Sequence, residues 1–504
     1  MGKPLLVFVH GWSVTNTSTY GELPARLKAE ALRAGGPGID VAHVHLGQYV
    51  SFSDEVRVED IARAFNYAIR GVLAEAGGRR RFVCVTHSTG GPVLREWLDR
   101  YHVQPGTLAD CPMSHLVMLA PANFGSALAQ LGKGRLGAMK AWFNGVEPGQ
   151  GTLDWLEVAS PESVALNLRW IDDYPRLALT QGATPIFPFV LSGDAIDRKL
   201  YDHVNAYTGE TGGDGVVRLA AANLNARHVV LAQEAPQPGE ALPAARRRLR
   251  SLHLVSSTRA APTAFKILPG LSHSGADMGI LASVGNNAQP HPTVDALLRC
   301  LAVRDDAGYQ ALRRDFEREN AVHQQLERRR EVEKIPVLPD RTYFHDPHAM
   351  VVFRLLDDTG ARVPDMNLLL TAGPAADPNQ LPQGFLTDRQ GNRRAPGNLC
   401  FFLNHAALAG CPDIRDARGK LQRGALLPRP PYGIRLQPRS EGRWVEHWAA
   451  EWGTDSGSLL DLLEPNQTTI IDLRLARVVR EGVLRFTRQL APRSFKDDAK
   501  GPGI

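Results

Sequence analysis

The sequence predicts an α/β protein: a mostly parallel sheet with helices on both faces, an inserted cap or lid, and a smaller C-terminal all-β, sandwich-like domain. Three observations predict it. Short apolar runs alternate with helical stretches through about the first 300 residues, the rhythm of strands joined by crossover helices. One of those runs, Phe82–Val85, leads directly into a small-residue turn carrying a serine, with a helix behind it. Beyond Arg341 the pattern changes to short strands separated by turn signals such as Asp358-Thr359-Gly360 and Asp388-Arg389-Gln390-Gly391-Asn392.

Taken in order, Leu5–Val9 is an apolar run suited to a strand buried on both faces. The stretch from Gly21 to Ala34 is rich in helix formers, and Val41–Leu46 alternates as a strand. Val58, Ile61, Phe65, Ile69 and Val72 recur at three- and four-residue spacing, which puts them on one helical face. Phe82–Val85 reads as a strand, Pro92–Tyr101 as a helix and Leu116–Ala120 as a strand. Regularity then breaks. The aromatic and glycine-rich stretch with Phe124, Trp142, Phe143, Trp155 and Trp170 is too long for a plain connection, so a cap or lid is expected over about 124–180. Pro185–Leu191 and Ala264–Leu268 resume as strands, with a Pro/Ala/Arg-rich loop, Glu234–Arg250, between them. Asp306–Lys334 is highly charged, with Tyr309, Leu312 and Phe316 on one side, and reads as a solvated connecting helix ended by Pro336. The expected organisation is therefore an α/β domain over 1–304, a charged helical connector over 305–340 and a β-rich domain over 341–504.

Composition narrows the class without naming a chemistry. With 43% hydrophobic and 22% charged residues, whole-chain disorder and fibrous repeats are excluded. The net charge of +5 is small for 504 residues and makes no case for nucleic acid. The five cysteines form no CxxC pair, so neither a zinc knuckle nor a redox motif is offered. His345-Asp346-Pro347-His348 has two histidines three apart, but the proline favours an irregular segment over a metal site. No phosphate-cradling or dinucleotide motif is present, and no cofactor is expected. The apolar run at the N-terminus is too short for a secretion signal, so a cytoplasmic protein, or one exported without a cleavable signal peptide, is expected.

The chemistry lies in three residues. Phe82-Val-Cys-Val-Thr86-His87-Ser88-Thr89-Gly90-Gly91 has the form of a nucleophile elbow, a tight turn that lifts a serine hydroxyl above the sheet edge. Thr86 stands where the commonest pattern has glycine, and it crowds the turn. His87 is expected to point the other way and act structurally. A serine needs a base to take its proton, and His273, in a Gly-Leu-Ser-His turn after the last strand, is placed to supply it. The acid falls between them in sequence. Asp214, in a glycine turn before the strand-like Val216–Ala220, is the first choice, and Asp194 and Asp197 are the alternatives. The backbone N–H of Thr89 and that of Trp12, in His10-Gly11-Trp12 after the first strand, are the expected oxyanion donors.

Phe8-Val-His-Gly-Trp12, Thr86-His-Ser-Thr-Gly-Gly91, Ala120-Pro-Ala-Asn-Phe-Gly-Ser126, Gly213-Asp-Gly-Val-Val217 and Ser272-His273 resemble, in order, landmarks of α/β-hydrolase lipases and esterases. The resemblance is strongest to the bacterial lipase and GPI-inositol-deacylase-like group and covers about residues 1–304. Some type VI secretion lipase effectors are similar in joining such a hydrolase to further domains. The resemblance implies a serine carboxylic-ester hydrolase acting on lipid or phospholipid, with a cap over an acyl pocket and contact with a membrane surface. Acyl transfer to another alcohol by the same triad, or a non-catalytic interaction protein on this fold, are the competing expectations.

Overall fold

The computed structural model describes residues 3–10, 19–35, 38–49, 53–77, 81–132, 149–197, 212–234, 242–325, 330–333, 341–416, 418–439, 445–453 and 457–479. Trp12, Trp142 and Phe143 lie outside them. Among the described residues, eight strands fall in the first 304: β1 (Leu5–His10), β2 (Asp40–His45), β3 (Phe82–His87), β4 (Met113–Leu119), β5 (Phe187–Gly193), β6 (Ala226–Ala232), β7 (His253–Arg259) and β8 (Ala264–Leu268). Six of them form one parallel sheet in the order β2-β1-β3-β4-β5-β8. Its strands are apolar on both sides because helices cover both faces. Leu5, Val7 and Val9 pack with Ile61, Phe65 and Ile69 of α2 (Val58–Glu75) and with Val93, Leu94 and Trp97 of α3 (Gly90–Leu98). Leu6 and Phe8 face the other way, toward Leu23 and Leu27 of the helix α1 (Leu23–Arg33).

The described part of the insertion includes the helices α4 (Gln150–Leu156) and α5 (Pro161–Asp172). α5 is nailed to α3 by buried polar groups. Arg95 Nη2 donates to Asn167 Oδ1 at 2.9 Å and its guanidinium lies 4.7 Å over the Trp170 ring. Arg169 Nε pairs with Asp99 Oδ2 at 2.9 Å, and the Tyr174 hydroxyl donates to Asp99 Oδ1 at 3.0 Å. Burial lowers the Arg95 pKa to about 9, which still leaves it charged at neutral pH. Freeing α5 would strand these groups without partners, so this part of the insertion is a fixed cap.

The charged helix after α6 (Pro292–Ala302) is not a solvated connector. α7 (Asp306–His323) buries Tyr309, Leu312 and Phe316 in the core beneath the parallel sheet. The Tyr309 hydroxyl donates to Pro188 O at 2.7 Å and accepts from Ala264 N at 3.0 Å. Asn320 accepts from Ile267 N at 2.9 Å and donates to Phe265 O at 2.8 Å. β8 is the edge strand, and α7 satisfies backbone groups along it that would otherwise face open solvent.

The C-terminal strands of the two larger sheets are β9 (His348–Asp357), β10 (Met366–Ala372), β11 (Leu386–Gly391), β12 (Asn398–Asn404), β13 (Tyr432–Pro438), β14 (Ala450–Trp452) and β15 (Thr468–Leu475). β10, β13 and β14 make a small antiparallel sheet. The sheet facing it runs β11-β12-β9-β15-β6-β7. Two strands from the first 304 residues are thus the last two of its six, with β6 parallel to β15 and β7 antiparallel to β6. A boundary at 304 does not separate the sheets, because strand pairing joins residues about 240 positions apart. The sandwich core contains Val229 and Leu231 of β6 beside Val351, Phe353, Leu368, Phe401 and Ile471. The strand-like Val216–Ala220 is instead a turn followed by a short helical stretch, Leu219–Ala222. The Val216 and Val217 N–H groups bond to the Asp214 carboxylate, which leaves them none for a ladder.

An ion cluster centred on the buried Asp472 ties the sheet β9-β15-β6 to the cap. Asp472 in β15 is paired by the Arg354 guanidinium at 2.5 and 2.6 Å, and His228 Nε2 lies 3.5 Å away. His228 Nδ1 reaches Asp172 Oδ2 of α5 at 2.8 Å. Burial alone raises the Asp472 pKa, but His228 and Arg354 more than reverse this and hold it at about 2. Because the folded pKa lies below the ordinary 3.8, its stabilisation is complete above about pH 4 and is lost as pH falls toward 2. Asp472→Asn is therefore expected to cost about 3 kcal/mol at pH 7 by leaving Arg354 and His228 facing a neutral group. In chemical denaturation, that deficit should shrink steadily between pH 4 and pH 2.

Candidate active site

β3 ends at His87, and Ser88 turns the chain into α3 with a left-handed backbone, φ +54°. For a residue with a side chain that conformation is strained, and it persists because the surroundings fix it. Ser88 N donates to Leu119 O of β4 at 3.0 Å, and Ser88 O accepts from Gly91 N at 3.1 Å. The departure at Thr86 has a local explanation: a Cβ on Gly90 would come 3.1 Å from Thr86 Cβ, so the absent side chain at one position makes room for the branched one at the other. Gly91 is tighter still, since its Cβ would meet Pro121 Cβ at 2.6 Å.

His273 lies in the turn after β8, fixed by Ser272 N donating to Met278 O and Ile280 N to Ser272 O, both at 2.8 Å. Its ring is buried and engaged at both nitrogens. Nε2 is 3.0 Å from Ser88 Oγ and Nδ1 is 2.9 Å from Asp214 Oδ2. The backbone repeats the link, His273 N donating to Asp214 O at 2.9 Å. Asp214 is fully buried, with its other oxygen, Oδ1, accepting from Val216 N at 3.0 Å and Val217 N at 2.7 Å. One oxygen is thus committed to its own turn and the second is left for the histidine. With Nδ1–H directed at a carboxylate, Nε2 presents a lone pair to the serine hydroxyl, the tautomer a general base requires.

The structure separates the three candidate acids. Asp194 Oδ1 accepts from Gly270 N at 2.9 Å and Oδ2 meets His323 Nε2 at 2.5 Å, so it braces the turn after β8 against α7. Asp197 lies against the backbone of Gly275, where a Cβ would come 2.3 Å from its Oδ2. Only Asp214 of these three is bonded to the His273 ring among the described residues. Thr89 follows Ser88 at the start of α3, where an N–H group and the helix dipole favour developing negative charge. Trp12, the second expected donor, lies outside the described residues. Among the described residues no group of three or more His, Cys, Asp or Glu side chains is arranged to hold a metal ion.

Two neighbours were not legible as such. His87 does not turn away: its ring centroid is 4.7 Å from that of His273, and Nε2–H donates to His273 O at 3.2 Å. Burial, and then the nearness of His273, hold its pKa well below the ordinary value, so it stays neutral and adds no charge opposing an imidazolium beside it. The His-Ser pair in sequence was the available signal. Arg218, four residues past Asp214, is buried over the Phe402 ring with its guanidinium carbon 3.5 Å from the centroid. No local pattern reveals that contact.

The fold and the grouping of Ser88, His273 and Asp214 place the chain among the serine ester hydrolases of the α/β-hydrolase class. The chain is similar over its whole length to phospholipase PlaB from Legionella pneumophila, with 39% identity, 98% of each chain covered and a TM-score of 0.79. Against a structure of that phospholipase in complex with thio-NAD the figures are 38%, 100% of each chain and 0.79. It belongs to the PlaB phospholipase family. No protein-family model matches the chain, and no curated protein matches it.

Replacing the two bonded carboxylates separates their work. Asp214→Asn is expected to reduce kcat about 10⁴-fold with a native melting transition, because an amide favours the wrong imidazole tautomer. Asp194→Asn should keep turnover near that of the unaltered protein and lower Tm instead. Steady-state kinetics and thermal melts of both variants check this.

Proposed function

We propose that the protein hydrolyses acyl esters of phospholipids through a triad of Ser88, His273 and Asp214. The observation that carries this is the unbroken hydrogen-bonded line from Asp214 through His273 to Ser88 Oγ, in a member of a phospholipase family. In the first half-reaction Ser88 Oγ attacks the ester carbonyl while His273 Nε2 takes its proton. Asp214 stabilises the imidazolium, and the N–H of Thr89 faces the developing oxyanion. His273 then returns the proton to the departing lysophospholipid or glycerol oxygen, leaving the fatty acyl group esterified to Ser88. In the second half-reaction water attacks the acyl carbonyl as His273 Nε2 takes its proton, and His273 passes that proton to Ser88 Oγ as the acyl–oxygen bond breaks, which releases the fatty acid and restores Ser88.

A phospholipid substrate resides in a bilayer, so the enzyme meets it at a surface. No helix among the described residues is long and apolar enough to cross a membrane, which favours peripheral contact for those segments. Fixed attachment of α5 to α3 further suggests that substrate enters past some other part of the cap.

The test is fatty-acid release from phosphatidylcholine and phosphatidylglycerol vesicles, a neutral triglyceride emulsion and short-chain esters, with and without an added alcohol acceptor. Expected is free fatty acid from phospholipid as the main product, reduced at least 10³-fold, roughly, in Ser88→Ala. Unchanged release by Ser88→Ala, or no phospholipid cleavage by folded protein, contradicts the proposal. A predominant acyl-alcohol product would move the protein to acyl transfer.

A further inference from the structure

The segment that carries Asp214 is held from two sides: Ser126 Oγ donates to Val216 O at 2.6 Å, Asn123 Nδ2 to Ala222 O at 2.7 Å and Phe124 N to Ala221 O at 2.9 Å, and the C-terminal part holds it from the other side. Gly212 rests on the imidazole of His348 in β9, where a Cβ would come within 2.7 Å of Nδ1. His348 is itself fixed, Nδ1–H donating to Asp346 O at 2.8 Å and Nε2 accepting from the Thr387 hydroxyl at 3.0 Å. Thr468 Oγ1 of β15 donates to Ala220 O at 2.8 Å, and Asn223 Nδ2 donates to Asn466 O at 2.8 Å. Between these fixtures Arg218 reaches into the sheet. Its side chain is 5% exposed, stacked at 3.5 Å on Phe402 of β12, with Nη2 3.5 Å from Asp388 Oδ2 of β11.

Arg218 is coupled to Asp214 through the backbone. Gly213 and Arg218 form a bridge across the turn, and Leu219 N donates to Gly212 O at 2.9 Å. Inside that loop Gly212 and Gly215 have φ of +97° and +93°. Glycine has weak conformational preference of its own, so the aim of Asp214 depends on the bonds inside the turn, to Val216 N, Val217 N and Ser126 Oγ, and on what holds its two ends. One end rests on His348. The other is Arg218, a buried cation for which an aromatic face and a carboxylate are two of the supports, since a desolvated guanidinium without such partners would be costly.

We propose that Phe402 and Asp388 are positioning residues of the triad: by fixing Arg218 they fix the glycine turn that aims Asp214 at His273. The C-terminal half is then a working part of the active site through the support it gives to Asp214. This inference rests on the triad reading above.

The test is a set of cycles on the full chain, measuring kcat and KM with a soluble short-chain ester. Phe402→Leu, Asp388→Asn and Arg218→Lys are each made alone and in an Asp214→Asn background. Alone, Phe402→Leu should lower kcat about 10- to 100-fold and leave KM within about twofold, as expected for a catalytic group moved by about an ångström. In the Asp214→Asn background the same change should cost little more, because the carboxylate it misdirects is gone. A merely structural role predicts the same loss in both backgrounds, and that result, or an unchanged kcat in all three single variants, overturns the inference. If Phe402→Leu fails to fold by thermal melt, the part-exposed Asp388→Asn carries the same cycle. Near-normal turnover by Asp214→Asn alone would remove the triad reading and the inference together. Collapse by Asp214→Asn with additive losses elsewhere removes only the inference.

Discussion

The imidazole of His273 is fixed at both ring nitrogens, and the two residues that fix it come from parts of the chain 59 and 185 positions away. An orientation shared by three side chains is only as good as the least rigid of their supports. Ser88 is supported by the parallel sheet, whose neighbouring strand β4 accepts its N–H and stabilises its strained backbone. His273 is supported by the turn after β8, with β8 itself held along its free edge by Tyr309 and Asn320 of α7. Asp214 has the most remote support, because its turn is clasped by strands that lie more than a hundred residues further along.

The two halves are accordingly one body. Met350, Val352, Cys400, Phe402 and Ile470 belong to the same buried cluster as Trp97, Phe124, Trp155 and Val217. Polar contacts follow the same route. Asn392 and Asn398 donate to the carbonyls of Val158 and Ala159 in the cap, at 3.3 and 2.9 Å, so the β11–β12 hairpin holds cap and acid turn together. The buried pair of Arg354 and Asp472 closes the arrangement from the sheet side. An accessory module that could be removed without consequence would share neither a core nor strands with its neighbour.

How much of this was legible follows from how local each signal is. The elbow at Ser88 is written in ten consecutive residues, and the glycine turn at Asp214 and the Ser272-His273 turn are equally compact. Five such landmarks in order were enough for the parallel sheet and the likeness to lipases. Strand partners are a different matter. The apolar residues of β6 suit burial in either sheet, and only pairing with β15, some 240 residues on, decides which. α7 misled because its charges dominate its composition, while three residues, Tyr309, Leu312 and Phe316, make its buried stripe. Val216 and Val217 carry a strand-forming composition, but the Asp214 carboxylate takes their N–H groups first. Arg218 reads as an ordinary surface arginine until Phe402 is folded beneath it.

The central claim is that the acyl group passes through Ser88. The most direct measurement is acid quench during turnover of a slowly deacylating fatty-acyl ester, followed by peptide mapping of the trapped protein by mass spectrometry. A single acyl adduct is expected on the peptide containing Ser88, formed faster than product accumulates and absent from Ser88→Ala. An adduct that forms on another residue with the same kinetics, and persists in Ser88→Ala, would contradict it.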